Sequence, residues 1–253
     1  MRNAARAGSA KRSLLSPQVL EKVRRWASAP VMSRDDAEAG ERASPGTLEF
    51  SEIYSLLVAD PRSYSAELNA MYPYLERGEV AATTLLAADS GTSELCAKLI
   101  AQYLEDRGVR SQVYRVEELG RSFDEGLYNL LDRVALVASR YREDGYVVYL
   151  NATGGFKLET AVLYVAAGLL GLDRVYYIHE TMKEVVEIPT IPLTVKPEYR
   201  DLLEVFRGRD KVLRREVEHR VGRKILEELE KRGIIAVLGR EVAIRRWLKL
   251  LLK

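Results

Sequence analysis

Residues 146–157 read Tyr-Val-Val-Tyr-Leu-Asn-Ala-Thr-Gly-Gly-Phe-Lys. The β-branched and aromatic run Tyr146 to Leu150 predicts a buried strand and Leu158 to Leu170 predicts a helix, so Asn151 to Lys157 is the turn between them. Gly154 and Gly155 let backbone amides approach an anion closely, and the following helix aims its unpaired N–H groups at the same point. Asn151 and Thr153 add hydrogen-bonding side chains, and Lys157, just after Phe156, adds a positive charge. The turn is a phosphate-binding candidate. The competing reading is a packing turn whose glycines only permit close approach of strand and helix, with Lys157 in solvent.

The spacing fits neither common nucleotide signature. A Walker loop needs Gly-x-x-x-x-Gly-Lys-Ser/Thr, whereas here the lysine stands two residues after the glycine pair and is followed by Leu158. No Gly-x-Gly-x-x-Gly triplet occurs anywhere in the chain. Ordinary ATPases and dehydrogenases are thereby disfavoured.

Outward from this turn, strands and helices alternate. Strands are predicted at Ala81–Ala88, Ser111–Val116, Tyr146–Leu150 and Arg174–Ile178, with helices at Glu94–Arg107, Phe123–Glu143 and Leu158–Leu170 between them, and a return strand at Val185–Ile188. This order implies an α/β fold with a doubly wound, Rossmann-like parallel sheet and a ligand crevice at the strands' C-terminal ends. A second turn on that edge, Asp89-Ser90-Gly91-Thr92-Ser93, is rich in hydroxyls. Ser90 or Thr92 would also cap the helix that follows.

The front of the chain, 16–78, reads as helical, with helices at Gln18–Ala27, Leu48–Val58 and Tyr64–Arg77. Pro30 to Gly46 reads as a polar stretch broken by proline and glycine. After an extended linker at 189–197, residues 198–253 carry helical stretches Tyr199–Phe206, Lys211–Arg220 and Gly222–Arg232. A hairpin around Gly239 (Ile234–Leu238 and Glu241–Ile244) and a last helix Arg245–Leu252 complete the chain. Helix, helix, hairpin resembles a winged helix-turn-helix. Residues 1–188, with the sheet core at 80–188, form the first expected domain, and 198–253 the second.

With 253 residues, 47% hydrophobic and 30% charged, the chain buries a core typical of a soluble protein. The net charge of +2 does not by itself indicate nucleic-acid binding. A single cysteine, Cys96, excludes an intramolecular disulfide and fits a reducing cytoplasm. No apolar run is long enough to span a bilayer, so no membrane partner is expected. His179, His219 and Cys96 have no metal-site spacing, and neither a metal nor a cofactor is expected.

The Asn151-x-Thr153-Gly154-Gly155-Phe156-Lys157 turn resembles the signature of the CARF proteins, the CRISPR-associated Rossmann-fold sensors of cyclic oligoadenylate. It is most similar to the archaeal branch that includes ring nucleases. The hydroxyl-rich turn at 89–93 resembles the second ligand loop of that fold, and the likeness covers Val80 to Pro192. The resemblance implies a homodimer that binds cyclic tetra-adenylate across its two-fold axis, with one set of loops from each chain. It implies metal-independent cleavage, with Lys157 neutralising the scissile phosphate, or else Lys157 only binding phosphate. Ser90, Thr92 and Ser93 would contact adenine or ribose, with Asp89 orienting them. The family opens with a central strand and a Gly-Thr-Ser-type loop, and Met1-Arg2-Asn3 resembles the residues that follow such a loop, so the first strand is expected to be missing. His179 would serve as a general acid or stacking group, although a lone histidine after Tyr-Tyr-Ile is read as structural.

Two other functions are open on the sequence. In one, Arg223 and Lys224 at the start of the Gly222–Arg232 helix contact DNA, making the protein a ligand-responsive regulator. In the other, Arg214 and His219 form the Arg-x-x-x-x-His spacing of a HEPN-like ribonuclease. Arg215 is a poor match to the small polar residue usual after that arginine.

Overall fold

The computed structural model describes residues 1–5, 14–154, 157–178, 184–244 and 248. Gly155, Phe156, His179, the side chain of Lys157 and nearly all of the expected Arg245–Leu252 helix lie outside the described residues.

The front is helical: α1 (Arg2–Ala5), α2 (Pro17–Ala27), α3 (Arg34–Glu41), α4 (Leu48–Ala59), α5 (Pro61–Tyr64) and α6 (Ala66–Glu76). Local caps set these boundaries. The side chains of Ser16, Ser33, Thr47, Asp60 and Ser65 each accept a hydrogen bond from the N–H three residues on, satisfying a donor that the first turn leaves unpaired. Ser65 is thus the reason that the helix expected from Tyr64 to Arg77 begins at Ala66, with Tyr64 ending the separate short helix α5. Helix α3 lies inside the stretch read as irregular. Its prolines and glycine hid it, although Ser33 with Asp35 and Asp36 is a helix-start signature.

The alternating part follows as β1 (Ala82–Ala87), α7 (Gly91–Glu105), β2 (Arg110–Arg115), α8 (Phe123–Glu143), β3 (Tyr149–Asn151), α9 (Lys157–Leu170), β4 (Arg174–Ile178) and β5 (Val185–Ile188). Strands β1 and β2 are parallel and in register from Ala82↔Arg110 to Ala87↔Arg115. Strands β3, β4 and β5 form a separate sheet in that order. The fold is mixed α/β with parallel strands, but the strands divide between two sheets where one was expected. Among the described residues everything before β1 is helix or turn, so no preceding strand pairs with its second edge.

Strand β3 starts later than Tyr146 because two amides are diverted. Tyr146 N–H donates to the Tyr141 carbonyl at the end of α8, and Val148 N–H to Asp173 Oδ2 at 2.8 Å.

The last elements are α10 (Pro197–Val205), β6 (Lys211–Leu213), α11 (Arg214–Val221), α12 (Arg223–Lys231), β7 (Ile235–Leu238) and β8 (Glu241–Ile244). Lys211 to Arg220, expected to be helical throughout, begins as a strand because Val212 pairs with Val242 of β8. The antiparallel sheet runs β6-β8-β7.

The chain divides into two compact units. The first comprises Met1–Leu130, Asn151–Thr160 and Tyr176–Ile188, and its core gathers Trp26, Leu56, Leu68, Leu95, Tyr103 and Leu104. In it, α7 packs against α3, α4, β1 and β2. The second comprises Leu131–Leu150, Ala161–Val175 and Pro189–Lys253, with Phe206, Val217, Leu226, Leu229 and Val242 fully buried in its core. The proline-rich 189–193 stretch lies on α9 of this unit: Leu193 N–H donates to the Gly168 carbonyl, and a Cβ at Gly168 would meet Ile191 O at 2.6 Å.

Leu226 is completely buried, so Leu226→Ala removes apolar contact and leaves a cavity. The expected loss is about 3 kcal/mol, read as a lower urea midpoint by circular dichroism; an unchanged midpoint would contradict this packing.

Candidate functional site

The Asn151–Gly154 turn closes β3. Asn151 Nδ2 donates to the Glu67 carbonyl at 3.0 Å, while its Oδ1 accepts from Thr153 N–H at 3.1 Å, which folds the turn back on itself. Ala152 N–H donates to Tyr176 O, and Thr153 Oγ1 accepts from Ile178 N–H at 3.2 Å, fixing the turn to β4. Both polar side chains expected to face a ligand therefore hold the turn in place.

Tyr176 lies beside Asn151. Burial pushes its phenol up, Tyr74 pushes it further, and a hydrogen bond from Asn151 offsets only part of the rise, so it stays a neutral hydroxyl. The Tyr74 ring lies 4.7 Å from it, centroid to centroid, and donates its own hydroxyl to Glu187.

Gly154 is exposed, and a Cβ there would stand 3.0 Å from Glu67 Oε1. The other oxygen of Glu67 accepts from Ser65 Oγ at 2.9 Å. A carboxylate thus borders the turn whose glycines and lysine favour an anion. Lys157 is the first residue of α9.

At the second turn, Ser90 caps α7, its Oγ accepting from Ser93 N–H at 3.1 Å, while Ser93 Oγ accepts from Ala88 N–H. The helix N-terminus itself is taken by Asp36 of α3. Its carboxylate accepts from Gly91 N–H (3.1 Å), Thr92 N–H (3.0 Å), Thr92 Oγ1 (2.9 Å) and Met32 N–H (3.1 Å). Burial alone would raise the Asp36 carboxyl, but these hydrogen bonds outweigh it and hold it below the usual carboxylate range. The fit leaves no room: a Cβ at Gly91 would lie 2.0 Å from Asp36 O.

Asp89 serves a different group. It accepts from Arg115 Nε, Arg121 and Glu118 N–H, and it does not bond the neighbouring hydroxyls. Burial would raise its carboxyl, and the Arg121, Glu118 and Arg115 hydrogen bonds bring it below the ordinary value.

Of the C-terminal candidates, Arg223 is exposed and paired with Glu227 at 3.1 Å, and Lys224 is exposed on the same helix. Arg214 pairs with Glu218 at 2.9 Å. Five residues on one α-helix differ by about 140° around the axis, so Arg214 and His219 face apart. The spacing of the ribonuclease motif does not become a shared site on α11.

A family model described as CRISPR-associated protein (Cas_APE2256) matches residues 62–191, just over half of the chain. The protein belongs to this CRISPR-associated family. The matched span holds both strand–helix turns, Glu67 and Tyr176, and leaves out Asp36 and the β6–β8 sheet. No described helix of this CRISPR-associated protein is long and apolar enough to cross a membrane.

Sequence reading missed Asp36, Glu67, Arg115, Arg121 and Tyr176. A buried carboxylate one turn inside a capped helix was a usable signal for Asp36, once α3 is recognised.

Because the folded-state carboxyl of Asp36 is lowered, its stabilisation is complete above the ordinary carboxylate range and is lost as pH falls through the folded value. Asp36→Ala strands the buried Gly91 amide and the half-buried Thr92 amide and should cost about 2–3 kcal/mol at neutral pH. The deficit should shrink on acidification in parallel urea titrations; a pH-independent deficit would refute the assignment.

Proposed function

We propose that this CRISPR-associated protein is a CARF-type, Rossmann-like sensor. On this reading it binds cyclic tetra-adenylate as a cytoplasmic homodimer and slowly cleaves it, ending the signal. Residues 1–188 form the sensor and 198–253 a winged-helix-like domain joined through 189–197.

The observation that carries the reading is the Asn151–Lys157 turn at a strand-to-helix junction inside the family span. Lysine as the first residue of α9 adds positive charge where the helix dipole is already positive, an arrangement that a bound anion relieves. Asn151, Thr153 and the neutral Tyr176 brace the first half of the turn, which supports this reading.

The chemistry needs only the ligand's own hydroxyl as nucleophile. The ribose 2′-oxygen attacks the adjacent phosphorus, the bond to the 5′-oxygen breaks, and the proton lost from the 2′-hydroxyl is balanced by one gained at the leaving 5′-oxygen. The product end is a 2′,3′-cyclic phosphate. Lys157 and the turn amides offset the additional negative charge of the pentacoordinate transition state. Glu67 and Asp36 oppose anion entry at the two turns, in keeping with a slow enzyme.

A second reading, a ligand-responsive DNA-binding regulator, draws support from the C-terminal order α10-β6-α11-α12-β7-β8 and its sheet order β6-β8-β7, the arrangement of a winged helix.

Incubation with cyclic tetra-adenylate in EDTA should yield linear di-adenylate ending in a cyclic phosphate, and Lys157→Ala should lower the rate by about 100-fold. Intact ligand with measurable binding heat would leave a sensor without catalysis, and no heat at all would remove the reading. Glu67→Gln removes the bordering charge and should tighten ligand binding several-fold by calorimetry; weaker binding would show that Glu67 supports the site.

A further inference from the structure

The cations of residues 198–253 are unevenly used. Residues 198–253 hold 16 Lys and Arg against 10 Asp and Glu, a formal +6 within a chain of net +2. On α12, where DNA contact was expected, Arg223 is engaged by Glu227 while Lys224 is exposed, and just past the helix Arg232 is engaged by Glu228. The α11 side differs. A groove of about 530 Å³ between α10 and α11 is lined by Val205, Arg209, Arg215, Glu216, His219 and Arg220.

Within it, Arg209 is held by Glu216 at 2.9 Å and by the Val205 carbonyl, and Arg220 by Asp201 at 3.0 Å. These pairs offset the charge of both arginines. Arg215 and His219 are exposed, and no described residue bonds or pairs with either. Four residues apart on α11, they lie within about 40° of one another around the helix and present neighbouring donors to the groove. The guanidinium offers a planar fork that matches two phosphate oxygens, and imidazole offers a further N–H donor.

We infer that this groove binds the phosphodiester backbone of a nucleic acid through Arg215 and His219, so that nucleic-acid contact runs along α11 and not through Arg223 and Lys224 at the start of α12. The inference extends the winged-helix reading and uses no residue of the cyclic-oligonucleotide turns. The contact is a backbone contact: it sets affinity and orientation and carries no sequence preference. Duplex DNA and duplex RNA share this chemistry, and the measurement separates them.

The test is fluorescence anisotropy of the full-length protein with labelled DNA and RNA duplexes of mixed sequence over a range of salt. The unaltered protein should bind at least one duplex at low salt. Arg215→Ala with His219→Ala should weaken that binding roughly tenfold or more and reduce the slope of log affinity against log salt by about 1 to 2. Arg223→Ala with Lys224→Ala should change it less than twofold. All four side chains are exposed, and unchanged thermal melts would establish that the variants fold. Full binding by the Arg215/His219 variant, with loss in the Arg223/Lys224 variant, overturns the groove while sparing the winged-helix reading. No binding to either duplex overturns both.

Discussion

The carboxylate of Asp36 pins the helical front of the first unit to the start of α7. One side chain satisfies two amides of the helix N-terminus and a hydroxyl beside them, and a third amide from its own preceding loop. Such a site ordinarily attracts a free anion. Here the chain supplies its own, buried, and the arrangement fixes where α3 crosses α7. The shared core of Trp26, Leu95 and Leu104 is built around that crossing.

Both strand–helix turns share this character. Each has a carboxylate from the helical front against it, Asp36 at one and Glu67 at the other. The two differ in degree. Asp36 is deeply bonded and fills its site, whereas Glu67 only borders Gly154, with one oxygen already engaged by Ser65. An incoming phosphate at the Asn151 turn therefore meets a charge that can be displaced or screened. At the Gly91 turn it would have to break four hydrogen bonds. Under the proposed function, the Asn151 turn is therefore the one assigned to reversible ligand exchange.

Much of the fold was legible because apolar periodicity records which face is buried. Helix α8 and strands β4 and β5 fall on their expected bounds, and most others lie within a few residues of them. What escaped was decided elsewhere in the chain. The Ser65 cap moved a helix start from Tyr64 to Ala66, Asp173 took an amide that β3 would have used, and pairing with β8 turned Lys211–Leu213 into a strand. The position of the glycine turn was readable from its own residues. Its neighbours were not: Asn151 meets Glu67 across 84 positions and Asp36 meets Thr92 across 56, distances over which local pattern carries no information.

The crossing of α3 and α7 also limits how sequences of this kind can drift. Gly40 and Gly91 face one another so closely that a Cβ on Gly40 would touch the Gly91 backbone at 3.1 Å, and one on Gly91 would strike Asp36 O. Positions 36, 40 and 91 are therefore sterically coupled. A relative that carries a side chain at 91 must have moved its counterpart of α3 outward and found another partner for the freed amides, so these three columns should vary together.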